Sequence, residues 1–269
     1  MMRPTKFFAF LIFFPILPVG PIECVKNLGL QLIKQRQWRP SHFTSGVLLI
    51  ALGVFKKVVI ADHLSELTKD SGHDSLVYHG YGMWAFVLLS LLQISAGFSS
   101  IADIARGVGR LLGLNIVDNF NRPYLAESVQ DNWQRRHISL VSWLRDFIYA
   151  PIAIRTRSVV IAPAVVMRLI GMWHELSWRF GLWSLYWLSL FWIAVPLRRR
   201  GLQMKVGRLL RRLAMISAMA VSTVFMLPAS LSELATLVGN FFQFTGDGSK
   251  DLMYLLLSCS VRLSALSSS

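Results

Sequence analysis

Charge is scarce in this 269-residue chain, and acidic charge most of all: Asp and Glu number 14, and charged residues make up only 16%. Hydrophobic residues reach 54%, with nine Trp and 17 Phe, and mean hydropathy is +0.50. That excess over the composition of an ordinary soluble domain excludes a single water-soluble core. Cysteine is nearly absent too. Cys24 and Cys259 stand far apart inside apolar segments, without CxxC or metal-ligand spacing, so neither a disulfide framework nor a zinc site is indicated. Also missing are a Walker A loop, a strand-borne GxGxxG, a GxSxG elbow and an HExxH helix. An ATPase, a dehydrogenase, an elbow-type hydrolase and a zinc protease therefore have no support. The opening MMRPTKFFAFLIFFPILPVGPIE has the basic start and apolar run of a signal peptide but no small-x-small cleavage site. It reads as a retained membrane segment, broken by Pro15, Pro18 and Pro21. The 28 Lys and Arg leave a net charge of +14, which in a soluble protein would suggest nucleic acid. Here the apolar runs point to the lipid bilayer as partner, with no nucleic acid.

A crossing of about 30 Å of hydrocarbon takes roughly 17–25 mostly apolar residues. Stretches of that character lie at 7–20, 45–61, 81–98, 158–174, 177–197, 213–230 and 252–267. They predict an all-α, polytopic integral membrane protein of about 6–7 segments. Basic loops stay cytoplasmic. In 22–44, Lys26, Lys34, Arg36 and Arg39 outweigh Glu23, whereas in 62–80 Asp62, Glu66, Asp70 and Asp74 outweigh Lys69. Segment 197–212 carries Arg198, Arg199, Arg200, Lys205, Arg208, Arg211 and Arg212 with no acid, and 231–251 is acidic. The alternation places 22–44, 99–157 and 197–212 in the cytoplasm, with 62–80, the 175–178 turn and 231–251 outside. The stretch 99–157 is too charged to span and too apolar for a linker. Its Trp, Tyr and Arg suit helices that lie in the interface or re-enter under cover of protein.

Six histidines are present. His42, His63, His73 and His79 sit in polar loop contexts with no partner pattern. His174, in GMWHELSW, closes an apolar run, and a titratable group at membrane depth is by default a functional hypothesis. The plain alternative is a histidine hydrogen-bonded to a neighbouring helix. His137 lies in DNWQRRHISLVSWLRDFIYAP; if this segment is helical, Trp133 and His137 share one face, as do Arg145 and Tyr149. Arg145 and Asp146 also read simply as a charge-compensated helix end.

The blocks DNFNRPYLAESVQDNWQRRHISLVSWLRDFIYAPI from Asp118 and GMWHELSW from Gly171 carry a resemblance, supported by FFPILPVGPIE, GVFKKVVIADHL from Gly53 and ADIARGVGRLLGLN from Ala102. In this order they resemble the membrane-bound O-acyltransferase (MBOAT) family, and within it the bacterial branch of the alginate O-acetylase membrane subunit and the D-alanyl transfer protein of teichoic acids. The likeness implies one membrane domain over 1–269 that lacks the family's N-terminal spans, with 99–157 as a cytoplasmic-side interfacial or re-entrant region. It further implies a multi-pass bacterial inner-membrane enzyme that moves an acyl group, acetyl first, onto hydroxyls of an extracytoplasmic polysaccharide. Acyl-CoA or another acyl thioester would be the donor, with no bound cofactor or metal, and other acetylation or export proteins would be partners.

In that family the histidine of the WH pair is catalytic, which maps onto His174, and a second characteristic histidine maps onto His137. A neutral imidazole can take the proton of an attacking hydroxyl, so His174 is expected as general base and His137 as the group that orients the acceptor or polarises the carbonyl. Trp133, Trp143, Arg145, Asp146, Tyr149 and Trp173 carry over as substrate-binding or tunnel-lining positions, and Asn121, Arg122 and Pro123 match the family's turn. This sequence departs from the pattern at Asn132 and Arg136, where Phe and Trp are usual, at Met172, at Trp187 in place of a downstream His, and at Gly97 and Phe98. Glu175 replaces a Gly after the catalytic position, and a carboxylate there would favour an imidazolium at His174. With the missing spans, these departures leave a second reading open: a truncated or inactive relative serving as an accessory membrane protein of polysaccharide export.

Overall fold

The computed structural model describes residues 4–17, 20–34, 39–70, 78–199, 207–226 and 230–244. Among them the chain is helical throughout, without a strand; a single antiparallel bridge pairs Phe120 with Arg136. Helix α1 (Pro4–Leu11) gives way to a short 3-10 turn at Phe14–Ile16, so the first apolar run is broken at Pro15 as its prolines require. A wide π-turn at Val25–Gly29 leads into the short α2 (Leu30–Ile33). Helix α3 (Pro40–Phe55) starts on a proline whose fixed φ suits a first helical position, and passes through a second π-turn, Lys56–Asp62, into α4 (His63–Asp70).

Helix α5 (Gly80–Leu111) has 32 residues, about 48 Å at 1.5 Å per residue. It exceeds the roughly 30 Å of hydrocarbon. The boundary expected at residue 99 therefore falls inside α5, and the chain leaves the helix only at Leu112 and Gly113, the latter at φ +72. Helices α3 and α5 run antiparallel with their backbones in close approach. A Cβ on Gly107 would stand 2.7 Å from the Gly46 carbonyl oxygen, and one on Gly53 2.7 Å from that of Ser100. Small residues at such a seam let two apolar helices pack where lipid competes for every larger side chain. At one end of the seam Lys56 Nζ meets Asp103 Oδ2 at 2.6 Å, and Arg106 pairs with both Asp103 and Asp118.

The remaining helices are α6 (Val129–Arg135), α7 (Ile138–Leu144), α8 (Ala150–Thr156), α9 (Ile161–His174), α10 (Trp178–Arg199), α11 (Arg208–Thr223) and α12 (Leu231–Asn240). The last begins with a reciprocal Ser230–Glu233 capping box. The core is where α5, α6, α9, α10 and α11 meet, around Phe86, Trp133, Ile170, Trp187 and Met219. A smaller cluster of Phe13, Leu28, Leu114 and Ile116 fastens the N-terminal piece to the loop after α5.

Among the described residues three helices are long and apolar enough to cross a membrane: Pro40–Thr68, Gly80–Leu111 and Arg208–Met226. They coincide with the segments expected at 45–61, 81–98 and 213–230. The expected segment at 158–174 is the shorter Ile161–His174, and that at 177–197 forms the 22-residue α10. The segment expected at 252–267, with Cys259, His73 and Arg200, lies outside the described residues. Of His42, His63 and His79, only the last is a loop residue. The first is inside α3, the second opens α4 with Nδ1 2.9 Å from the Val58 carbonyl oxygen, and the third immediately precedes α5.

The basic start of α11 is tied to the rest of the protein through one carboxylate. Arg211 Nη2 lies 2.7 Å from Glu127, Arg212 Nη2 3.1 Å and Arg208 Nε 3.4 Å. The Arg211 hydrogen bond above all, with the neighbouring charges, holds the Glu127 carboxyl below its ordinary value. The stabilisation is therefore complete above the unfolded carboxylate pKa and disappears as pH falls through the lower folded value. Thermal melts of the detergent-solubilised protein should drop between neutral and strongly acidic pH, and Glu127→Gln should shrink that drop. An identical pH dependence in both proteins would mean that the cluster is merely solvated.

Candidate active site

The site begins with a break in the chain. Helix α6 ends at Arg135, Arg136 is extended (φ −121, ψ 139) and paired with Phe120, and His137 is left-handed (φ 47, ψ 42) before α7 starts. A left-handed non-glycine residue costs about 1–2 kcal/mol, so something must hold it. The Asn121 N–H donates to the Arg135 carbonyl (2.9 Å), and the Ile138 N–H donates to that of Asn119 (3.1 Å). Asn119 Oδ1 accepts from both the Ser139 N–H (3.1 Å) and the Ser139 hydroxyl (2.9 Å). Asn119 thus does for α7 what an N-cap side chain usually does, and the imidazole of His137, the formal N-cap, is released from that task. The single helix expected to place Trp133 and His137 on one face does not exist. The bridge to Phe120 and the left-handed residue turn the chain between them.

The loop that carries Asn119 is braced from the N-terminal piece. Glu23 accepts from the Val117 N–H (2.8 Å) and from Asn27 Nδ2 (2.8 Å), and burial raises its pKa above the ordinary value. Gln31 and Asn115 exchange two bonds, Gln31 Nε2 to the Asn115 carbonyl (2.9 Å) and the Asn115 N–H to Gln31 Oε1 (2.7 Å). The Ile22 N–H donates to Ser139 Oγ (2.9 Å). The FFPILPVGPIE block therefore positions His137 from a distance.

His174 is the last residue of α9. Its ring stacks on Phe180 (5.3 Å between centroids, 13°) and meets Trp183 edge-on (5.4 Å). His137 lies 6.0 Å from it at 81°, and is itself enclosed by Phe98 and Phe120. Both imidazoles line a tight cavity of about 30 Å³, together with Asn132, Trp133, Arg136, Trp183 and Trp187. A larger hollow of about 620 Å³ between α9 and α10 is apolar apart from Arg168 and Ser184 and contains neither histidine.

The expected site residues separate into two groups. His137, His174 and Trp133 line the cavity; Trp173 touches both imidazole rings but is half exposed. Trp143, Arg145, Asp146 and Tyr149 do not line it. Trp143 packs on Phe147 (5.4 Å), and Arg145 Nε pairs with its neighbour Asp146 (2.8 Å), both more than half exposed. The plain reading of that pair as local charge compensation describes what it does. Glu175 does not address His174. The chain is extended after α9, and both Glu175 oxygens lie 3.1 Å from Arg179 Nη2. Several lining residues had no assigned role in the sequence, Asn132, Arg136, Trp183 and Trp187 among them. The helical spacing of Phe180, Trp183 and Trp187, which puts them on one face of α10, was the available signal.

Helices apolar on the outside, with paired imidazoles converging on an internal cavity, define a class of protein: a helical membrane protein with its polar site enclosed in the bundle. Residues 1–231 match the family described as MBOAT, membrane-bound O-acyltransferase. The chain belongs to this family. It is 32% identical over 195 residues to a probable alginate O-acetylase of Azotobacter vinelandii, covering 69% of this chain and 38% of that protein. Identity to a peptidoglycan O-acetyltransferase of Helicobacter pylori is 31% over 197 residues, covering 68% of this chain and 37% of that one. A teichoic acid D-alanyltransferase of Bacillus subtilis is 26% identical over 200 residues, covering 66% and 48%. The chain thus spans less than half the length of these relatives.

The left-handed turn makes a direct prediction. Glycine tolerates φ near +47 and alanine does not, so His137→Gly should be more stable than His137→Ala by about 1 kcal/mol, read as a higher melting temperature. The opposite order would contradict the backbone described for this turn.

Proposed function

We propose that this chain forms the catalytic part of a membrane O-acyltransferase that moves an acyl group, acetyl first, from acyl-CoA or another thioester to hydroxyls of an extracytoplasmic polysaccharide. The convergence of His137 and His174 on one cavity is the observation that carries the reading. Rings 6.0 Å apart between centroids leave room for both to reach one small polar group at hydrogen-bond distances of about 2.6–3.2 Å. His174, in its neutral form, accepts the proton of the acceptor hydroxyl while that oxygen bonds to the thioester carbonyl carbon. The tetrahedral oxyanion then collapses, the C–S bond breaks, and the imidazolium returns its proton to the leaving thiolate. His137 donates a hydrogen bond to the carbonyl oxygen as charge develops there.

The names of the relatives, two as O-acetylating enzymes and one as a D-alanyltransferase, support acyl transfer and differ in acyl group and acceptor. The bacterial inner membrane, a multi-pass topology and cooperation with other acetylation or export proteins complete the proposal. The substitution that most favoured an inactive relative, Glu175, is engaged by Arg179, which leaves the base site free of a carboxylate partner.

Surface polysaccharide from cells lacking this chain should regain O-acetyl groups on complementation with it. His174→Ala should restore none while accumulating in the membrane to the same level. Full restoration by His174→Ala would remove His174 as the base. For topology, single cysteines placed at Glu66 and Gly207 in an otherwise cysteine-free chain should react with impermeant reagent from opposite sides. Labelling from one side alone would overturn the map.

A further inference from the structure

Between α9 and α10 lies the hollow of about 620 Å³ that contains neither histidine, a size within the roughly 300–1,000 Å³ of small-molecule sites. The two helices touch at Gly171, where a Cβ would stand 2.7 Å from the Phe180 carbonyl oxygen. The hollow is bounded by Ala164 and Met167 on one helix and by Leu185 and Leu188 on the other. Part of its wall faces the surroundings: Leu185 is 58% exposed, and Leu231, from the start of α12, 65%. Ser184 donates its hydroxyl to the Phe180 carbonyl at 2.7 Å. Arg168, by contrast, is exposed and makes no ion pair or hydrogen bond among the described residues.

Arg168 is out of place in its helix. Apart from it and the terminal histidine, α9 is apolar, and Arg168 stands about seven residues, roughly 10 Å, from its start. A cation at that depth without a partner is expensive. Its side chain reaches the first turn of α10, where a Cβ on Gly181 would stand 3.0 Å from Nη1, so the bare glycine leaves a seat for the guanidinium. The charge is thereby carried toward the turn between α9 and α10 and the membrane surface, as long basic side chains in membrane helices do. No Asp or Glu is among the residues lining the hollow, and Glu175, in the adjoining turn, is bonded to Arg179. A cation without an anion thus stands beside an apolar slot.

We propose that the hollow binds an anionic phospholipid, with its phosphate on Arg168 and one acyl chain in the slot between α9 and α10. The charge calls for an oxyanion, which a guanidinium fork takes in two-point fashion and an ammonium cannot. The aliphatic wall calls for an alkyl chain, held by close packing because surrounding lipid is equally apolar. A phospholipid joins the two chemistries in one molecule and is always present in a bilayer. Trp178, which lines the hollow and is 43% exposed, is an aromatic of the kind that sits at headgroup level. The lipid is a resident of the fold, neither acyl donor nor acceptor, and its site is separate from the cavity of the two histidines.

The test mixes the full chain, purified in detergent, with equal amounts of dioleoyl phosphatidylglycerol and dioleoyl phosphatidylcholine and counts the lipids retained per chain by non-denaturing mass spectrometry. Phosphatidylglycerol should be retained at least about tenfold better, a difference of about 1.4 kcal/mol. A chain of net charge +14 also gathers anionic lipid at other basic positions, so the variants decide. Arg168→Gln should lose one bound phosphatidylglycerol, and Arg168→Lys should hold it more weakly. Ala164→Phe, which fills the slot and leaves the charge in place, should lose the same molecule. Excess inorganic phosphate should not displace it, since free phosphate brings no chain. Equal retention of the two lipids, an unchanged phosphatidylglycerol count in correctly folded Arg168→Gln or Ala164→Phe, or displacement by phosphate alone would overturn the proposal. A hollow covered by protein, a second copy for example, gives the unchanged count. Acyl transfer does not enter the measurement, so its result stands apart from the function proposed above.

Discussion

The carboxamide oxygen of Asn119 is the small group on which the site depends. By accepting both the backbone N–H and the hydroxyl of Ser139, it starts α7 in a new direction immediately after α6 has ended. Two side-chain bonds, and the backbone bonds of Asn121 and Ile138 beside them, at about 0.5–1.5 kcal/mol each, are enough to offset the roughly 1–2 kcal/mol of a left-handed His137. Without that turn the helix would continue from Trp133, and the imidazole would follow it one turn along the same face. Strain at a residue held by its surroundings is a common mark of a functional position, and here the holding groups can be named.

Around this turn the protein builds an aromatic enclosure. Phe98 comes from α5, Phe120 from the loop before α6, Trp133 from α6, and Phe180, Trp183 and Trp187 from α10. Packed rings exclude water and lower the local dielectric, which strengthens every interaction between the imidazoles and a polar ligand. The two histidines and Arg136 therefore belong to one electrostatic arrangement inside an apolar wall.

Elsewhere the abundant positive charge is used structurally. Arg208, Arg211 and Arg212 converge on Glu127, while Lys56 and Arg106 meet at Asp103. Glu127 and Asp103 each gather more than one cation, including cations remote from them in sequence. Arg136, among the described residues, is left out of these pairs, and it is the one that faces the cavity.

Membrane character, the helical class and the family were decided by the sequence itself, because hydropathy is a local property and ordered motif blocks survive in the chain whatever its fold. The two histidines were legible in the same way, as polar groups in segments with little reason to contain them. Their partnership was not. Helical spacing assumes an unbroken helix through His137, and the bonds that break it come from Asn119, remote in sequence from Ser139. Tertiary structure alone showed that Arg145 and Asp146 satisfy each other at the surface, that Glu175 turns to Arg179, and that Trp183 and Trp187 close the cavity. Each of these outcomes depends on which side chain is nearest in space, and long-range packing sets that where residue type and local periodicity do not.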